Sequence, residues 1–75
     1  MEFTGTVVRK PFAPLSKSAH LAVFLVTDTA EYKLERQDGN PFHDEVLETL
    51  VGSRIECTGQ IIGYVLRISQ WRVLS

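Results

Sequence analysis

The sequence predicts an all-β barrel with one helix, on three observations. Stretches rich in Val, Ile, Thr and aromatic residues recur along the chain with turn formers between them. One segment, Asn40 to Gly52, carries helical periodicity instead. Gly5 and Gly59 fall inside the first and fourth strand-like stretches, where a small closed sheet must bend sharply. The predicted order is three strands, a helix and two strands, as a single domain over residues 1–75.

Composition narrows the functional classes. Eight Lys and Arg against nine Asp and Glu leave a formal net charge of −1 over 75 residues, so nothing advertises a polyanionic partner. A chain this small buries roughly 60–65% of its unfolded surface. With Cys57 as its single cysteine it must gain stability from packing rather than from internal disulfides. The longest apolar run, Leu21 to Val26, is far short of the ~20 residues a membrane helix requires. The opening residues MEFTGTVVRKPF lack the basic start and long apolar core of a secretory signal, which makes the cytoplasm the expected location.

Phe3 to Lys10 reads as the first strand, rich in β-branched residues. Pro11 and Pro14 should interrupt its ladder, so residues 11–19 are expected to form an exposed loop. His20 to Thr27, the second strand, is apolar at nearly every position, and alternation alone does not choose its buried face. The third strand does: Tyr32 and Leu34 alternate with Lys33 and Glu35, which assigns the first two to the core. An even-numbered connection over Asp28 to Glu31 sets Leu25 opposite Leu34 and Val26 opposite Lys33. Leu21, Val23 and Leu25 then face inward, and Phe24 and Val26 outward. A three-residue connection would bury Phe24 instead.

The helix carries its own punctuation. Asn40 can cap, Pro41 suits the first helical position, Asp44 and Glu45 sit near the positive end of the dipole, and Gly52 can take a left-handed stop. Phe42, Val46 and Leu50 recur every fourth residue, and Leu47 and Val51 widen the apolar face expected to plug one opening of the barrel. In Arg54 to Gln60, Ile55, Cys57 and Gly59 form the buried set of a fourth strand. Gly63 marks a tight return into a fifth strand, Tyr64 to Ser69, with Leu66 and Ile68 opposite Gly59 and Cys57. Trp71 and Val73 lie on the other parity, so either a bulge near Ser69 and Gln70 restores them to the core or the chain turns a corner there.

This order, with GSRIECTGQIIGYVLRISQWRVL as its second half, resembles the OB-fold, a five-stranded Greek-key barrel with a helix between strands three and four. The resemblance is one of topology and pattern over nearly the whole chain, without a diagnostic motif. An SH3-like barrel is the competing architecture, and a helix spanning Asn40 to Gly52 is too long for its usual helical turn.

The resemblance implies a binding face on the outer surface of strands two and three, flanked by the loops joining strands one to two and four to five. Here those positions hold Phe24, Val26, Lys33 and Glu35, with Phe12, Lys17 and Ser18 in one loop and Ile62 and Gly63 in the other. Phe12, Lys17, Phe24 and Lys33 are the ligand-binding candidates, because an exposed aromatic beside a cation suits stacking on single-stranded bases at roughly 1–3 kcal/mol per base. The competing readings are structural: Phe24 packs inside, and Phe12 plugs an end of the barrel. Arg9, Lys10 and Lys17 make only a weak basic patch.

The expected function is therefore a small non-enzymatic binding module that engages single-stranded nucleic acid weakly. The alternative is a protein-interaction or assembly module using Phe24 and Val26, with Val65 as a rim, and oligosaccharide binding on the same face is a third option. No metal or cofactor is expected, since Cys57 is alone, His20 starts a strand, and His43 falls within the apolar stripe of the helix. Cys57 reads as a small core hydrophobe. Five dispersed glycines make no phosphate loop.

Overall fold

In a computed structural model that describes residues 1–12, 20–39 and 44–75, the chain forms five strands and one short helix. The strands are β1 (Glu2–Phe12), β2 (His20–Val26), β3 (Glu31–Arg36), β4 (Arg54–Ile62) and β5 (Val65–Val73), with α1 (Glu45–Leu50) between β3 and β4. Their order in the sheet is β1-β2-β3-β5-β4, and β4 returns to pair with β1, so the sheet closes in a ring. All neighbours are antiparallel except β3 and β5, which run parallel.

Closure depends on β1 serving two partners in turn. Glu2 to Thr6 pairs with β4 and Thr6 to Phe12 with β2, so the strand bends at Gly5 and Thr6. A Cβ on Gly5 would stand 2.3 Å from the carbonyl oxygen of Val26, which is why this bend admits only glycine. β1 runs on through Pro11 and Phe12, paired with Leu21 and His20, past the point where a break was expected. Beyond Thr6 its pairing to β4 has ended, and that open edge gives a residue without an N–H a place in the strand.

The core gathers Val7, Val23, Leu25, Leu34, Leu47, Leu50, Ile55, Cys57, Leu66 and Ile68, with Phe3, Tyr32, Val51 and Trp71 packed against it. Between β2 and β3 the pairs are Phe24 with Lys33 and Leu25 with Tyr32, a slip of two residues from the expected register. A slip of two preserves the faces, so Val23, Leu25 and Leu34 are buried as expected. Leu21 corrects that scheme. It is 60% exposed, because it lies past the stretch of β2 that β3 covers and pairs only with Pro11.

The β4–β5 pairing is likewise two residues from expectation, with Gly59 opposite Ile68 and Ile61 opposite Leu66. The register shifts between Thr58 and Gly59, leaving Ser69 as the extra residue of a bulge. Past it, Trp71 falls opposite Cys57 and packs against the core, while Val73 falls opposite Ile55 and remains exposed.

The helix is shorter than the sequence suggests. Its N-cap is Asp44, whose backbone is extended and whose side chain accepts hydrogen bonds from the amides of Val46 and Leu47. The expected cap Asn40, first-turn Pro41, and the apolar Phe42 and His43 lie outside the described residues. Six residues are too few to exclude an SH3-like barrel by helix length, so that criterion fails on the described chain. Leu47 and Leu50 are buried and Val46 is exposed, which turns the inward face by one position from the expected Val46–Leu50 row. Gly52 adopts the expected positive φ, at 93°.

Candidate binding surface

The outer face of β1, β2, β3 and β5 is a row of paired positions. Val8 stands opposite Phe24, Lys10 opposite Ala22, Phe24 opposite Lys33 and Lys33 beside Val65. Phe24 faces outward as its parity predicts, yet it is only 8% exposed and lies apart from the central core. The ammonium of Lys10 sits 4.8 Å from its ring centroid, a cation–π contact that occupies the face a base would stack on. Phe24 is thus outward-directed without being accessible.

The cations of this face are matched by carboxylates. Lys10 pairs with Glu31, Lys33 Nζ stands 3.1 Å from Glu35 Oε2, and Arg67 Nη2 lies 3.6 Å from Glu35 Oε1. A phosphate arriving here must compete with Glu31 and Glu35, which weakens the counterion-release term that drives nucleic-acid binding. Of the other expected contact residues, Phe12 pairs through its backbone with His20, and Lys17 lies outside the described residues. The structure therefore brings Phe24 and Lys33 side by side but encloses both in local pairs.

Exposed apolar side chains among the described residues include Leu21, Val73 and Leu74, and one set gathers at the hairpin joining β4 to β5. Ile62 and Val65 pair across a two-residue turn of Gly63 and Tyr64, with Gly63 at a φ of 64°. Tyr64 is 62% exposed and Ile62 53% exposed, and Ile61 beside them is also open to solvent. Tyr64 is the one exposed aromatic among residues whose burial is described. The backbone of β3 anchors the turn through the Lys33 amide, which donates to the Tyr64 carbonyl at 3.0 Å. The signal for this site was present in the sequence. Alternation allows only one of Ile61 and Ile62 to face the core, so IIGYV must expose apolar side chains.

Next to the hairpin, a surface groove of about 330 Å³ crosses the outer wall of β4 and β5 at the bulge. Thr58, Gly59, Gln60 and Ile62 line it from β4, Arg67 and Ser69 from β5, Gln37 from just past β3, and Met1 from the start of the chain. A Cβ on Gly59 would come within 2.2 Å of the Arg67 carbonyl oxygen, so the two backbones approach closely where the groove forms.

Among the described residues no cluster of His, Cys, Asp and Glu could hold a metal ion. Burial, with the charge of Glu56, pushes the Cys57 thiol up to about 11, so it stays protonated. No helix among the described residues is long and apolar enough to cross a membrane. In comparisons with known proteins, the chain matches no protein-family model, no curated protein and no solved structure.

Proposed function

We propose that this chain is a small, non-enzymatic binding module of OB-fold type that holds a protein partner on its β4–β5 hairpin. The ring order β1-β2-β3-β5-β4, the parallel β3–β5 pair and a helix between β3 and β4 support the OB-fold reading. The observation that carries the function is the exposure of Ile62 and Tyr64 at one turn, with Ile61 open to solvent on the other face of β4. Tyrosine and aliphatic anchors on a firmly anchored turn suit a protein contact, because they bury large area with little ordering cost. The β2–β3 face, with Phe24 covered and its cations paired, supports nucleic-acid binding less well.

A photo-crosslinker placed at Ile62 should yield a defined protein adduct, and Tyr64→Ser should abolish it. Mixed single-stranded oligonucleotides at low salt should leave the amide shifts of Phe24, Lys33 and Tyr64 unmoved. A saturable response of those residues to oligonucleotide at millimolar concentration would replace this reading with the nucleic-acid one.

A further inference from the structure

The groove beside the hairpin points to the chemistry of the partner, an inference that rests on the reading of the hairpin as a protein contact. We infer that the partner inserts a carboxylate side chain against Arg67 while an apolar neighbour packs on Ile62 and Tyr64. The recognised segment is thus acidic and hydrophobic in adjacent positions.

Among the described residues that line the groove, Arg67 is the one charged side chain, beside the neutral donors Gln37, Thr58, Gln60 and Ser69 and the apolar Met1 and Ile62. Arg67 is directly opposite Gln60, so a guanidinium and a primary amide stand side by side on the sheet surface. The Arg67 side chain is 50% exposed, and its separation of 3.6 Å from Glu35 exceeds hydrogen-bond length. Glu35 directs its other oxygen to Lys33 at 3.1 Å, so it holds Arg67 only through charge. A planar fork of donors flanked by amides matches a carboxylate, which it can grip through two parallel hydrogen bonds.

Other ligand chemistries match less well. A phosphate dianion calls for more than one cationic side chain, and among the described lining residues Arg67, its charge partly offset by Glu35, supplies one. A sugar ring calls for an aromatic platform, and among the described residues that line the groove none is aromatic. Ile62 belongs to both surfaces: it lines the groove and is one of the exposed apolar residues of the hairpin. A partner segment touching the hairpin therefore places an adjacent side chain within the groove.

The test is an amide chemical-shift titration of the full chain with two blocked dipeptides at equal ionic strength, N-acetyl-glutamyl-leucine amide and its glutaminyl counterpart. The glutamyl peptide should shift Gln60, Arg67 and Ser69 together with Ile62 and Tyr64. The glutaminyl peptide should bind about tenfold more weakly, the order expected for losing a charge-assisted pair. Arg67→Gln, a change at an exposed position, should erase the difference between the peptides. Equal shifts from both peptides at the hairpin would overturn the carboxylate groove and leave the hairpin contact standing. Carboxylate-dependent shifts confined to Gln60, Arg67 and Ser69 would uphold the groove and overturn the hairpin reading. No response to either peptide at millimolar concentration would overturn the inference, and the crosslink at Ile62 would then decide the hairpin separately.

Discussion

Replacing Asp44 by alanine removes one carboxylate that joins two elements, α1 and β3. Its Oδ1 accepts from the amides of Val46 at 3.0 Å and Leu47 at 3.4 Å, capping α1. Its Oδ2 accepts from Arg36 Nε at 2.7 Å, tying α1 to the end of β3, and the side chain is only 5% exposed. Arg36 in turn lies 5.7 Å from the ring centroid of Trp71, which packs on the core from β5. Loss of the cap alone costs about 1 kcal/mol, and a helix of six residues has no stability of its own to absorb it. With the Arg36 bond lost as well, the melting temperature should fall by more than the ~4–8 °C that 1 kcal/mol represents in a domain this size.

Asp44→Asn separates the two roles. An asparagine oxygen can still cap Val46 and Leu47, while its amide opposes the donor of Arg36, so its loss should be smaller than that of alanine. Burial alone would raise the Asp44 carboxyl, but the hydrogen bond from Arg36, the amides of Leu47 and Val46 and the Arg36 charge outweigh it and hold the group below the usual range. A carboxyl depressed on folding contributes stability above its unfolded pKa of ~4, lost as pH falls through the folded value. Thermal melts from neutral to strongly acid pH should show this loss in the parent chain and a flatter profile in Asp44→Asn. An alanine variant melting with the parent, or an asparagine variant with the parent's acid profile, would refute the assignment of Asp44 as the junction.

Two further outcomes follow from the ring. Gly59→Ala places a Cβ 2.2 Å from the Arg67 carbonyl oxygen and 2.8 Å from the Ile68 Cα, both backbone atoms. Urea unfolding should show a loss of about 1–3 kcal/mol, a large share of the roughly 4–11 kcal/mol typical of 75 residues; an unchanged midpoint would contradict the close approach at the bulge. Cys57, buried and held protonated up to about 11, should react with a disulfide reagent at pH ~8 only on the timescale of unfolding. Because its pKa is raised on folding, its contribution to stability should fade as pH climbs from the unfolded value towards 11. Labelling of the folded chain as fast as of a free thiol would show that Cys57 is not in the core.

Element type and face were readable from the chain because strand periodicity is strict. Lys33 and Glu35 alternating with Tyr32 and Leu34, and Glu56 and Thr58 between Ile55, Cys57 and Gly59, define inner and outer faces without knowledge of any partner. Both expected registers were two residues off, between β2 and β3 and between β4 and β5, and neither error changed a face. The parity break at Trp71 left a bulge or a corner open, and the structure has the bulge at Ser69, with Trp71 but not Val73 returned to the core. The candidate surface was less legible. Phe24 was directed outward by the pattern, but whether an outward ring is accessible depends on what crosses it, and Lys10 comes from another strand.

The amino-acid sequence thus determined the strand order along the chain, the inward set Val23, Leu25, Leu34, Ile55, Cys57, Leu66 and Ile68, and the glycines at which the sheet bends, because each follows from local period or backbone sterics. Tertiary structure alone decided where α1 is capped, since local chemistry suits Asn40 as well as Asp44, and it is Arg36 and the space left by Gly39 that hold Asp44 in place. It also decided that Leu21 is exposed, that Lys10 and Lys33 of the outer face are paired, and that the β4–β5 hairpin presents open apolar side chains. Those outcomes depend on which distant side chains meet, and one-dimensional spacing does not encode such meetings.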